Sequence, residues 1–287
     1  MTRIFVFSII IALIGCKEPM SSNNNVEDRQ NEIPIDDHSS VRSESLDSAN
    51  ILFIGNSLTF YNNMPDIFKK ISEESGKNVN VESATIGGIA LRNLINRPSI
   101  TDKIKSNYWD FIILQSDDIS AFPDMYDIEI STLRKFEDII YKNCISTKII
   151  YLMVWGLRNG VTIQELSGET VYYSYLDYLN KIYNGTLYIA NEMDIIISPV
   201  GWAWKEIRNQ YPEIELFSSD NAHPGYNGSY LCAAVHYSII FQESCVNINY
   251  NGNLDENTGK ILRSCASEVV LDNLDTWNIS VSTGIDK

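Results

Sequence analysis

Short apolar runs alternate along this chain with longer stretches of helical spacing, and no other feature constrains the fold as strongly. Residues 51–55 (ILFIG), 79–86, 110–115 (DFIILQ), 149–155 (IIYLMVW) and 195–200 (IIISPV) read as strands. Runs of this kind are expected where a sheet is covered on both faces. Helical spacing marks about 64–75, 89–97, 127–143, 170–192, 202–210, 226–241 and 256–271. The stretch 156–169 is turn-rich and reads as a loop. A β–α–β–α order predicts an α/β domain, a parallel sheet with helices on both sides.

The first fifty residues are of another kind. Met1 to Cys16 reads as an export signal, with Arg3 ahead of the apolar run Ile4–Ile14. That run is too short to span a bilayer and suits a signal peptide. It closes on Leu13-Ile14-Gly15-Cys16, which resembles a bacterial lipobox. The resemblance implies cleavage before Cys16, lipidation of that cysteine, and an exported chain anchored to a membrane of the cell envelope or surface. A plain secretory signal with an incidental cysteine is the alternative. Residues 17–50 lack aromatic side chains and are rich in Ser, Asn, Asp and Glu. Such a segment buries too little apolar surface to offset its ordering entropy, so it is expected to be a disordered tether. Residues 51–287 remain as one domain of ordinary size.

The formal net charge is −15, which argues against a nucleic-acid backbone as partner. Beyond Cys16 lie Cys144, Cys232, Cys245 and Cys265. An exported protein could pair them, Cys245 with Cys265 for instance, or could bury them as thiols. None has a CxxC spacing and no Cys/His cluster suggests a metal.

In open parallel sheets, ligands sit beyond the carboxyl ends of the strands. Here those ends carry Gly55-Asn56-Ser57, Gly87-Gly88, Gln115-Ser116, Trp155 and Pro199-Val200-Gly201. A serine needs a base to attack at neutral pH. Of three histidines, His38 falls in the tether and His236 inside the helix expected at 226–241. His223 lies in the polar loop Asp220-Asn221-Ala222-His223-Pro224, with Asp220 placed to orient its imidazole.

The blocks GNSLT at 55–59, GG at 87–88 and DNAHPGYNGSYL at 220–231, in this order, resemble those of the SGNH/GDSL hydrolase superfamily. The resemblance spans 51–242, with long unmatched stretches between the blocks. It implies a flavodoxin-like three-layer α/β/α sandwich of about five parallel strands, and ester hydrolysis without metal or organic cofactor. It implies Ser57 as nucleophile, His223 as base and then acid, Asp220 as its partner, and an oxyanion hole from the N–H groups of Ser57 and Gly88, with Gly87 the neighbouring choice. Two departures stand out. Asn56 occupies the position where the family's first block usually has Asp. The family's GxND segment is replaced by Leu114-Gln115-Ser116-Asp117-Asp118. A carboxylate cannot donate to an oxyanion, whereas the Gln115 amide can; Gln115 is therefore the expected third donor, with a strand-end cap as the alternative.

Trp155 and Trp202, near the rim, suit the faces of sugar rings, whereas Trp204 inside its helix suits core packing. The expected function is a serine esterase removing acetyl or similar small acyl groups from a glycan. A non-catalytic glycan-binding or surface-interaction module on the same fold is the competing reading.

Overall fold

The computed structural model describes residues 46–279, all within the compact unit Arg42–Lys287. The signal, Cys16 and all of the tether before residue 46 lie outside the described residues. Seven strands are found among them: β1 Ser48–Gly55, β2 Asn78–Thr85, β3 Phe111–Gln115, β4 Lys148–Leu152, β5 Val161–Gln164, β6 Thr170–Tyr173 and β7 Ile196–Ser198. The helices are α1 Ser57–Phe60, α2 Met64–Glu74, α3 Leu91–Leu94, α4 Pro98–Lys105, α5 Tyr126–Asn143, α6 Tyr175–Met193, α7 Val200–Gln210, α8 Tyr226–Phe241 and α9 Glu256–Leu271. Among the described residues, no helix is long and apolar enough to cross a membrane.

The main sheet has five strands in the order β2-β1-β3-β4-β7, and every pairing in it is parallel. All five residues of β3 are buried, as a strand covered on both faces requires. Phe53 of β1 meets Phe68 of α2 and His236 of α8, while Tyr151 of β4 donates to Glu129 of α5. One face is thus covered by α2 and α8, with α9 packed on α8 and α7, and the other by α5 with its neighbours α4 and α6. This is a three-layer α/β/α fold. Helix α8 explains its own position: Gly228 through Phe241 are all buried, so it cannot lie at the surface. The chain leaves β1 for β2 on one side and returns for β3 on the other. The end of β1 is therefore the sheet's topological switch point, where a cleft forms.

Several element boundaries differ from expectation, each for a local reason. Strand β1 starts at Ser48, inside the expected tether, because Ser48, Ala49 and Asn50 pair in register with Asn78, Val79 and Asn80. The helix expected over 89–97 is shorter, the four residues of α3, and a further helix follows it. Arg97 precedes a proline and is extended (φ −98°, ψ 120°), and Pro98 then opens α4, which the spacing had not suggested. Residues 156–169 are not all loop: β5 pairs antiparallel with β6, whose Thr-Val-Tyr-Tyr falls where the spacing predicts the start of a helix. That helix begins at Tyr175, where the Ser174 side chain accepts from the Asp177 N–H at 3.3 Å. Cys144, Cys232, Cys245 and Cys265 are all free thiols, so no Cys245–Cys265 bridge forms.

Candidate active site

Strand β1 ends on Gly55, and only glycine fits there. A Cβ would lie 2.4 Å from Thr59 Oγ1 and 2.5 Å from Gln115 Oε1. The chain then turns sharply into α1. Asn56 caps it, its Oδ1 accepting from the Leu58 N–H at 3.1 Å, and its Nδ2 donates to the Ile89 carbonyl at 3.3 Å. Asn56 therefore ties the turn after β1 to the loop after β2. Between these capped groups, the Ser57 N–H has no acceptor among the described residues.

The structure brings the serine, histidine and aspartate together. Ser57 Oγ lies 2.8 Å from His223 Nε2, and His223 Nδ1 lies 2.6 Å from Asp220 Oδ2. Asp220 Oδ1 accepts from the N–H of Ala222 (3.0 Å), the N–H of His223 (2.9 Å) and the Ser218 hydroxyl (2.7 Å). These donors, the Ala222 N–H foremost, hold the carboxyl well below its usual range, with the His223 ring adding to them. A carboxylate so held only accepts, so the imidazole hydrogen sits on Nδ1, and Nε2 turns its lone pair to the Ser57 hydroxyl. This geometry lets the imidazole take the serine's proton while the aspartate steadies the resulting charge.

Gly87 and Gly88 follow β2 beside α1; a Cβ on Gly87 would lie 3.4 Å from the Phe60 ring. Gly88 has φ +71°, a conformation that costs glycine little and other residues more. Both glycine N–H groups lack an acceptor among the described residues. Also among those residues, no three His, Cys, Asp or Glu side chains converge as metal ligands.

Two solved structures share this architecture. A DUF4886 family protein from Bacteroides uniformis superposes with a TM-score of 0.67 at 17% identity, over 84% of this chain and 100% of its own. A putative SGNH hydrolase from Slackia heliotrinireducens superposes with a TM-score of 0.53 at 21% identity, over 67% of this chain and 99% of its own. No protein-family model and no curated protein matches the chain. The fold is that of the SGNH hydrolases.

Within this SGNH fold, three expected site residues are placed otherwise than their types suggested. The Gln115 side chain is fully buried, with Oε1 accepting from the Asn56 N–H (2.8 Å) and the Thr59 hydroxyl (3.0 Å). A backbone N–H can only donate, so the amide oxygen must face it. Gln115 Nε2 then donates to the Ser116 carbonyl. One Nε2 hydrogen is thus engaged and the whole side chain is buried, so Gln115 braces the turn after β1 from the end of β3, in line with the alternative reading as a strand-end cap. Trp155 is 1% exposed, stacks on Trp204 at 4.3 Å and donates its indole N–H to the Ala222 carbonyl at 2.9 Å. It anchors the His223 loop and presents no open face to a sugar. Trp202 packs on Tyr183 (4.4 Å), under the Lys205 ammonium (3.5 Å), and borders a cavity between α7 and α9 lined by none of Ser57, His223 or Asp220.

His236 is a core residue: its Nδ1 pairs with the Ser198 hydroxyl at 3.0 Å, and burial lowers its pKa to about 3. Tyr61 was not singled out in the sequence. Its ring lies flat on His223, centroids 4.2 Å apart at 11°. Asn62, with φ +53°, donates to the Pro224 carbonyl (3.0 Å) and the Ser229 hydroxyl (2.9 Å), tying the Ser57 segment to the His223 loop. A Tyr-Asn pair after a short helix carries no periodic signal that would have exposed either role. A cavity of about 120 Å³ is lined by Leu58 and Ala222, the chain neighbours of Ser57 and His223, with Asp117, Asp118, Trp155 and Leu157 among others.

Proposed function

We propose that this protein is a serine ester hydrolase that removes acetyl or similarly small acyl groups from a glycan. The observation that carries the reading is the continuous relay from Ser57 Oγ through His223 to Asp220, at 2.8 and 2.6 Å. In the first step, Ser57 Oγ attacks the ester carbonyl carbon and its proton passes to His223 Nε2. The N–H groups of Ser57 and Gly88, with Gly87 as neighbour, are the proposed donors to the oxyanion. As the tetrahedral adduct collapses, the C–O bond to the alcohol breaks and His223 returns the proton to the leaving oxygen. Water then attacks the acyl-serine with His223 again as base, releasing the acid and free Ser57.

The small acyl group is supported by the cavity of about 120 Å³ flanked by Leu58 and Ala222, each next in sequence to a triad residue. Such a space suits a few carbons, whereas drug-sized ligands occupy roughly 300–1,000 Å³. A glycan as the alcohol follows from the proposed envelope location through Cys16, where acylated polysaccharides are at hand. The test is acetate release from a panel of acetylated mono- and oligosaccharides, alongside p-nitrophenyl acetate, by wild type and Ser57→Ala. Loss of nucleophile or base typically costs roughly 10⁴–10⁶ in kcat. A folded Ser57→Ala protein with wild-type turnover overturns the assignment; turnover of the nitrophenyl ester alone overturns the glycan.

A further inference from the structure

Away from the triad, two guanidinium groups border one cavity of about 220 Å³, formed by Arg158, Arg208 and the segment Pro212 to Phe217. Arg158 uses Nη2 on Glu215 Oε1 at 2.6 Å, an oxygen that also accepts from the Phe217 N–H at 2.8 Å. Its Nε is buried and has no partner among the described residues. Arg208 donates Nη1 to the Arg158 carbonyl at 3.3 Å and has no carboxylate partner among the described residues. Two arginines against one carboxylate leave this wall with a surplus positive charge, in a chain whose formal net charge is −15.

The guanidinium planes are held by aromatic rings. Arg208 lies 3.8 Å from the Tyr175 centroid and 5.3 Å from that of Phe217, and Arg158 lies 5.3 Å from Phe217 on its own side. Packing of this kind fixes side chains that otherwise lose much rotamer freedom on binding. A planar fork with free N–H groups matches the paired oxygens of a carboxylate or sulfate. A strut that only braced a loop would have no reason to leave a buried N–H facing nothing.

We propose that the Arg158–Arg208 cavity is a binding site for a single oxyanion group, the carboxylate or sulfate of a small acid or of an acidic sugar. This does not rest on the esterase reading. The site lies behind the loop that holds the triad. The Arg158 N–H donates to the Asn221 carbonyl at 3.0 Å, the Ser218 N–H donates to the His223 carbonyl at 2.8 Å, and Phe217 bridges Pro224. A ligand here would buttress the backbone from Phe217 to Pro224.

The test is calorimetric titration of the folded protein with sodium sulfate, sodium glucuronate and a glucuronate-bearing oligosaccharide, at constant ionic strength made up with chloride. One saturable site is expected. Arg208→Gln and Arg158→Gln should each weaken it at least about tenfold, the loss of one charge-assisted contact. Lys260→Gln, an exposed cation on α9, should leave it unchanged. Arg208→Lys keeps the charge without the fork; it should also weaken binding, and it carries the comparison if Arg208→Gln fails to fold. Tighter binding of the oligosaccharide than of glucuronate assigns the site to an acidic glycan, and equal binding to a free small anion. No saturable heat with any of the three, or wild-type affinity in folded Arg208→Gln or Arg208→Lys, overturns the proposal.

Discussion

Tyr61 and Gln115 show how much of this site is held by residues outside the Ser57–His223–Asp220 relay. The flat Tyr61 ring against His223 would steady the imidazolium formed during the reaction. Tyr61→Phe is expected to keep near-wild-type kcat on p-nitrophenyl acetate, whereas Tyr61→Ala should lose about 3–30-fold, as ~0.5–2 kcal/mol of ring–cation contact implies. Gln115→Ala leaves the buried Asn56 N–H and Thr59 hydroxyl without their acceptor. It should lower unfolding free energy by about 1–3 kcal/mol in denaturant titration; an unchanged midpoint would remove the brace. The proposed nucleophile, base and aspartate were legible in the sequence because each lies in a compact block whose residue types state their chemistry. Gln115 was legible only as an amide at a strand end. Which of its two ends matters depends on Asn56 and Thr59, which only the β1–β3 pairing brings beside it.

At the scale of elements, the site rests on a sheet whose underside holds an unusual acid. Glu129 of α5 is fully buried; it accepts from the Tyr151 hydroxyl at 3.0 Å through Oε1, and its Oε2 has no partner among the described residues. Burial raises its pKa from 4.5 to about 7. A raised carboxyl binds its proton more tightly in the folded state. Its contribution to stability is complete below the unfolded value and is lost as pH rises through about 7. Between pH 5 and pH 8 this one group should therefore lower stability by on the order of 3 kcal/mol. In Glu129→Gln that part of the decline should vanish, read as a smaller fall in denaturant midpoint over the same interval. An identical pH profile in both proteins would contradict it. The long elements were legible because their periodicity runs over many residues, and α5, α8 and α9 begin within a residue of expectation. The short ones were not. Strands β5 and β6 have four residues each, and their pairing with one another is a tertiary fact. The stop before Pro98 was legible, since the expected helix ends at Arg97, whereas the eight residues of α4 that follow are too few to carry a clear period.

Across the described molecule, the parallel order β2-β1-β3-β4-β7 gathers the turns after β1 and β2 and the His223 loop at one rim of the sheet. That convergence was legible, since strand ends could be read before their order was known. The surfaces away from the rim were not, and Trp202 is the example: nearness in sequence to a strand end did not place it at the cleft. The thiols test the packing of the whole. Cys232, Cys245 and Cys265 are buried and Cys144 is partly exposed. An aromatic disulfide reagent should titrate Cys144 quickly and the other three only on unfolding; fewer reactive thiols after unfolding would reveal a bridge. The central claim is that Ser57 is a nucleophile activated by His223. It is tested most directly by treating the native protein with a fluorophosphonate and mapping the adduct by peptide mass spectrometry. One adduct is expected, on Ser57, absent in heat-denatured protein and strongly reduced in His223→Ala. No adduct on the native protein, or an adduct on another residue with Ser57 unmodified, would contradict it.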